Sequence, residues 1–188
     1  LEIVGSRHNL ARHIVIVGAG NIGAYLAKEL ETISNVRVRL IESDANQAEL
    51  VAEELKRTVI LNGDAMDYDI QEEAGVANSE LVICLTNDDK TNILCAVLAK
   101  KIGAKQTISL INEISMRDLQ AELGINMVVD PRATTISSIL RHVRSGKILD
   151  VYSLEQGQAE IMEGEVLETY PLCGKSISDS NLVDGISL

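Results

Sequence analysis

The sequence predicts an α/β fold: a Rossmann-like doubly wound parallel sheet over residues 13–146, followed by the start of a small α+β subdomain over 147–188. Three observations carry this. From His13 onward, short β-branched runs alternate with helical patterns, as parallel strands joined by crossover helices do. Gly18-Ala19-Gly20-Asn21-Ile22-Gly23 follows the first run directly and opens a helical stretch. After Lys147 the long helical patterns stop, and strand-like pieces broken by Gly and Pro take over.

Residues 1–12 read as a linker from a preceding domain. Six strands are expected at His13–Val17, Val36–Ile41, Thr58–Leu61, Leu81–Leu85, Thr107–Ile111 and Asn126–Val129. They are apolar nearly throughout, as strands covered on both faces must be. Ile22, Leu26, Leu30 and Ile33 recur at helical spacing and predict one buried face. A second helix starts after Asp44, with Gln47 three residues on completing a capping box ahead of Ala48, Val51 and Leu55. Ile93, Leu94, Val97, Leu98 and Ile102 mark a more apolar helix, covered on more than one side. The last, around Thr134–Arg144, follows the Asp130-Pro131 break and carries Ile136, Ile139, Leu140 and Val143.

Composition narrows the function classes. With 17 Lys and Arg against 28 Asp and Glu, the formal net charge is −11, which argues against nucleic acid, since phosphate binding needs clustered cations. No run approaches the roughly 20 apolar residues that span a bilayer, and no signal-peptide pattern opens the chain; a cytoplasmic setting is expected. Leu1 stands where an initiator Met would, and the expectation is a segment of a longer protein. Cys84, Cys95 and Cys173 lack the spacing of zinc ligands, and the first two sit in apolar segments as small hydrophobes would. His142 reads as a surface residue.

The glycine-rich turn predicts a dinucleotide site. Gly18 makes the tight turn, Gly20 lets backbone approach a pyrophosphate, and Gly23 lets helix and strand pack closely. The N–H groups of Ala19, Asn21 and Ile22 belong to the same phosphate-facing turn and helix start. Glu42 ends the second strand where a carboxylate takes ribose hydroxyls and repels a 2′-phosphate, favouring NAD or NADH, or another adenine nucleotide with a free 2′-hydroxyl, over NADP. Asn62-Gly63-Asp64-Ala65 and Thr86-Asn87-Asp88-Asp89 follow strands three and four and reach the same crevice, although strand-to-helix turns ask for these residue types anyway. No His, Cys or Tyr-x-x-x-Lys is placed for proton transfer beside a nicotinamide, and Tyr25 and Lys28 read as helix-surface residues. A small NAD-dependent oxidoreductase is therefore the alternative rather than the expectation.

IVIVGAGNIGAYLAKEL, VRLIES, NGDA and ICLTNDDKTNILCAVLAKKIGAK together resemble the RCK domain family (regulator of potassium conductance, also KTN or TrkA-N), most closely the second such domain of bacterial Trk-type uptake regulators. The likeness runs from about Arg12 to Arg144, is most specific over Thr86–Ile93, and continues into LCGKSISDSNLVDGI as the start of the small C-terminal RCK subdomain. It implies a cytoplasmic regulatory (gating) subunit, not an enzyme, peripheral on the inner face of the cell membrane. It implies a homodimer or larger ring docked on a membrane potassium transporter or channel subunit, with NAD(H) or ATP/ADP in the crevice. Carried across, Gly18 to Gly23 hold the phosphates, Glu42 the ribose, Asp64 and Ala65 border the adenine, and Thr86 and Asn87 reach ribose or pyrophosphate. Where some members carry Arg in the glycine loop or after the fifth strand, this chain has Asn21 and Asn112. A hinge is expected near Ser145-Gly146-Lys147, where the chain leaves the sheet domain for the small one, and the apolar helices at Ile93–Ile102 and Ile136–Val143 invite a self-contact.

Overall fold

The computed structural model describes residues 11–113, 116, 119–143, 148–154, 159–164, 173, 174 and 176. The chain divides into two compact units, Leu1–Pro131 and Arg132–Leu188.

In the first unit, β1 (His13–Val17), β2 (Arg37–Glu42), β3 (Val59–Asn62), β4 (Leu81–Cys84), β5 (Gln106–Leu110) and β6 (Met127–Val129) form one sheet in the order β3-β2-β1-β4-β5-β6. Every pairing is parallel. The order reverses between β1 and β4, the switch point where open α/β sheets bind ligands. The six expected strands are all present, with ends displaced by a residue or so, as helix and strand ends generally are.

Period-two alternation splits the core into two layers. Ile14, Ile16, Val38, Leu40 and Ile83 face one side and bury against Ala27 of α1 (Asn21–Glu31) and Val51 of α2 (Ala45–Glu54). Val15, Val17, Ile41, Val82 and Cys84 face the other, against α3 (Tyr68–Glu73), the 3₁₀ turn Val76–Asn78 and α4 (Asp89–Ile102). A short α5 (Leu119–Glu122) precedes β6.

Three expectations are corrected. α1 meets the sheet through Gly23 and Ala27, so Ile22, expected on the buried face, is half exposed (50 %) while Leu26, Leu30 and Ile33 pack partly against the core. The cause is the close approach at Gly23, which turns the preceding side chain outward. β2 is not apolar throughout: Arg37 and Arg39 are exposed between buried Val38 and Leu40. On α4, Asn92, Ile93, Cys95, Ala96 and Ala99 are buried along one wide face while Leu94 is half exposed, so the helix is not covered on more than one side as expected.

The second unit holds α6 (Pro131–Val143), opened by a proline whose missing N–H has no helical partner to lose. The antiparallel pair β7 (Ile148–Leu154) and β8 (Ala159–Gly164) follows, with an irregularity between Ile148 and Asp150. Ser145-Gly146-Lys147 lie outside the described residues.

Candidate functional site

The sheet ladder runs on past the strand ends and places the loops. Gly18 N–H donates to Ile41 O (2.8 Å), Leu85 N–H to Val17 O (2.8 Å) and Gly63 N–H to Glu42 O (2.9 Å). The four loops after β1, β2, β3 and β4 thereby surround one cleft of about 490 Å³ at the switch point, a size ordinary for a cofactor site.

The glycines act as their positions require. Gly18 has φ +98°, and a Cβ there would stand 3.0 Å from the Thr86 nitrogen. A Cβ on Gly23 would stand 1.9 Å from Gly18 O, so the helix can start against the turn only with glycine. At Gly20 nothing lies within 4 Å of a built Cβ: this glycine opens onto the cleft. It is the N-cap of α1 and offers no side-chain acceptor, which leaves the first helical N–H groups for a ligand.

Glu42 is the hub. Its Oε2 accepts from Ala19 N–H (2.6 Å) and its Oε1 from Asp44 N–H (2.9 Å), fixing the carboxylate between the glycine turn and α2 with acceptor capacity to spare. Asp44 caps α2 by accepting from Gln47 N–H (2.9 Å). The reciprocal half of the expected capping box is not made: Gln47 Nε2 donates instead to Ala19 O (2.8 Å), because Asp44 N–H is already engaged by Glu42.

Gly18, Gly20, Glu42, Asp64, Ala65, Thr86 and Asn87 all line the cleft. The other four expected residues shape it instead. Ala19 is buried and bonded as described, Gly23 lies under the turn, and Asn21 and Ile22 start α1 with exposed side chains. The lining carries three carboxylates, Glu42, Asp44 and Asp64, and no cation. A bound phosphate would rely on backbone N–H groups and the helix dipole alone.

Three buried polar side chains hold the loops and were not among the expected site residues. Asn92, fully buried, accepts from Thr86 N–H (2.8 Å) and Thr86 Oγ1 (2.7 Å) while donating to Thr86 O (3.0 Å) and Leu110 O (2.9 Å). Asp89 accepts from Asn112 N–H (2.8 Å), Asn112 Nδ2 (2.9 Å) and Glu113 N–H (2.8 Å). Asn112 is thus committed to the scaffold. Gln71 donates to Ala65 O (2.7 Å) and secures the loop after β3. The available signal was a polar residue at a buried helical position, as Asn92 is beside Ile93.

Asp88 caps α4, and the hydroxyl and N–H of Thr91 hold its carboxyl below the usual range. Burial pushes the Cys84 thiol well up and that of Cys95 to about 12, with the Asp64 charge adding to the latter, so neither is a nucleophile at neutral pH. No group of three or more His, Cys, Asp and Glu among the described residues is placed to hold a metal.

A switch-point cleft with this turn and this carboxylate lies within residues 14–131, which match the TrkA-N domain model. The chain belongs to the TrkA-N domain family. Over its full length it is 43 % identical to the Trk system potassium uptake protein TrkA of Azorhizobium caulinodans, covering 41 % of that protein. Over 94 % of its length it is 41 % identical to TrkA of Vibrio alginolyticus, covering 39 %. The chain therefore spans about two fifths of these relatives. Among solved structures, the TrkA-N domain of the Escherichia coli inner membrane protein ybaL matches with a TM-score of 0.64 at 18 % identity, over 72 % of this chain and 99 % of that one. The GsuK channel bound to NAD matches with a TM-score of 0.61 at 21 % identity, over 79 % and 26 %. At these identities the TrkA-N fold is what is shared. No helix among the described residues is long and apolar enough to cross a membrane.

Proposed function

We propose that this chain is a nucleotide-sensing regulatory module of a potassium uptake system, taking NAD or NADH first and ATP or ADP second. The observation that carries it is the single cleft in which the open Gly20, the start of α1 and the fixed Glu42 carboxylate meet. Gly18 to Gly23 would hold the pyrophosphate through backbone N–H groups, and Glu42 would accept the ribose hydroxyls. Asp64 and Ala65 would border the adenine, with Thr86 and Asn87 on ribose or pyrophosphate. Support comes from the TrkA relatives and from fold neighbours described as GsuK bound to NAD, GsuK bound to ADP and a Kef C-terminal domain in AMP-bound form.

The nucleotide is read, not consumed. No side chain lining the cleft is a His, Cys, Lys or Tyr that could pass a proton to a substrate. A ligand that prefers one arrangement of paired domains shifts their equilibrium by the ratio of its affinities, about 1.4 kcal/mol for a tenfold preference. In this reading 13–146 is the N-terminal RCK domain and 147–188 belong to the C-terminal one. The module works as a homodimer or larger ring in the cytoplasm, against a membrane transporter or channel subunit. Half-exposed Leu94 (52 %) on α4 and Ile136 and Ile139 (56 % each) on α6 are the apolar positions such pairing would use. The test follows potassium flux through the full-length protein with its membrane subunit while NADH, NAD, ATP or ADP is added. Flux that responds to one of them with no loss of cofactor supports the proposal. Flux indifferent to all of them, or steady cofactor turnover with a small carbonyl substrate, contradicts it.

A further inference from the structure

At the opposite end of the strands lies a second cleft of about 210 Å³. Its walls come from the first residues of β1 and β2 and from the segment after α3, which contributes Gly75, Asn78 and Ser79. His13 and Arg37 are register partners, and Arg39 follows two residues on, so all three lie on one face of the sheet. Farther along the same face the strands turn apolar, with Val15, Val17 and Ile41 in the core.

The charge here is the reverse of that in the first cleft: two arginines and a histidine line it, and no carboxylate. The Arg37 side chain has no hydrogen-bond or ion-pair partner among the described residues. That is unexpected in a chain where 28 acidic side chains outnumber 17 basic ones, because two neighbouring guanidinium groups repel each other unless an anion lies between them. Arg39 is held in place: its Nη1 donates to Glu73 O (3.0 Å). Gly75, at φ +70°, makes the room, since a Cβ there would stand 2.6 Å from that nitrogen.

We propose that this cleft binds a phosphate-class oxyanion, either inorganic phosphate or the phosphate of a small monoester. Guanidinium forks match oxyanions bidentately, and the volume falls below the roughly 300 Å³ of pockets that enclose larger ligands. The inference is independent of what binds at Glu42.

The experiment titrates inorganic phosphate, and in a second arm glycerol 3-phosphate, into the ¹⁵N-labelled chain at constant ionic strength. Amide and arginine side-chain resonances are followed by NMR. The expected result is saturable shifts at His13, Arg37, Arg39 and residues 75–79. Binding should weaken about tenfold in Arg37→Gln, less in Arg37→Lys, and stay unchanged in Gly20→Val, which alters the other cleft. Tighter binding of the ester assigns the cleft to a phosphomonoester, and equal binding assigns it to phosphate. The same spectra report folding; should Arg37→Gln unfold, Arg37→Lys carries the comparison. A linear response, saturation insensitive to both Arg37 variants, or shifts confined to residues 18–23 would overturn the proposal.

Discussion

Glu42 ties the glycine turn to α2 through Ala19 and Asp44 and presents its remaining lone pairs to the cleft. On the proposed function, Glu42→Ala should weaken NADH about tenfold and narrow its advantage over NADPH, because the same carboxylate would supply ribose hydrogen bonds and 2′-phosphate repulsion. Calorimetry with both cofactors reads this, and a parent protein that binds the two equally would remove the basis for the claim. Asn92 acts one step back from the cleft, through Thr86. Asn92→Leu keeps the branched outline with added bulk but strands Thr86 N–H, Thr86 O and Leu110 O, at a cost of about 3 kcal/mol in a denaturant titration. A loss under 1 kcal/mol would mean that water replaces these bonds. The glycines and Glu42 were legible in the sequence because backbone geometry and a strand-end carboxylate leave little choice of residue. Asn92, Asp89 and Gln71 were not, since their partners are main-chain groups of loops brought near only by the sheet.

Carboxylates hold the ends of helices and strands. Asp88 caps α4, Glu80 accepts from Arg12 N–H beside Lys105, and Glu31, at the end of α1, collects the N–H groups of Lys56, Arg57 and Thr58. Burial pushes Glu31 up, but these backbone bonds and the Thr58 hydroxyl outweigh it and leave the group lowered. Asp88, held by Thr91, and Glu80, held first by Arg12 N–H, are lowered as well. A carboxylate lowered on folding adds stability above its ordinary value, 3.8 for Asp and 4.5 for Glu, and loses it as pH falls through the folded value. Thermal unfolding should thus hold steady down to about pH 5 and decline below it. Asp88→Ala should lower stability at pH 7 and flatten part of that decline; an unchanged acid limb would contradict the assignment. Thiols report the same layer: at neutral pH, Ellman's reagent should label exposed Cys173 promptly and buried Cys84 and Cys95 only on unfolding. Prompt labelling of Cys95 would show that α4 opens. At this scale α2 was readable from periodicity and its cap and α4 from its apolar run, whereas α3, six residues with one strongly apolar side chain, gave no periodic signal. Arg37 and Arg39 hid in a strand whose other positions are core, where only pairing with β1 reveals the basic face.

For the molecule as a whole, the two ends of the sheet carry opposite charge, acidic at the switch point and basic at the strand starts, within a chain of net charge −11. A nucleotide bound there as proposed would gain from backbone N–H groups and the α1 dipole, not from cations, so screening salt should not weaken it as it weakens sites built on Lys and Arg. The order β3-β2-β1-β4-β5-β6 makes this cleft, and it was legible because strand, turn and helix follow one another so regularly from His13. The central claim is that an adenine dinucleotide sits on the turn at Gly20. The direct measurement is a calorimetric titration of NADH into the parent chain and into Gly20→Val, at low and at moderate salt. Nothing lies within 4 Å of the added Cβ, so the variant should fold. The account predicts saturable, single-site binding by the parent that survives added salt, and at least a tenfold loss in Gly20→Val. Unchanged NADH affinity in the folded variant would contradict it.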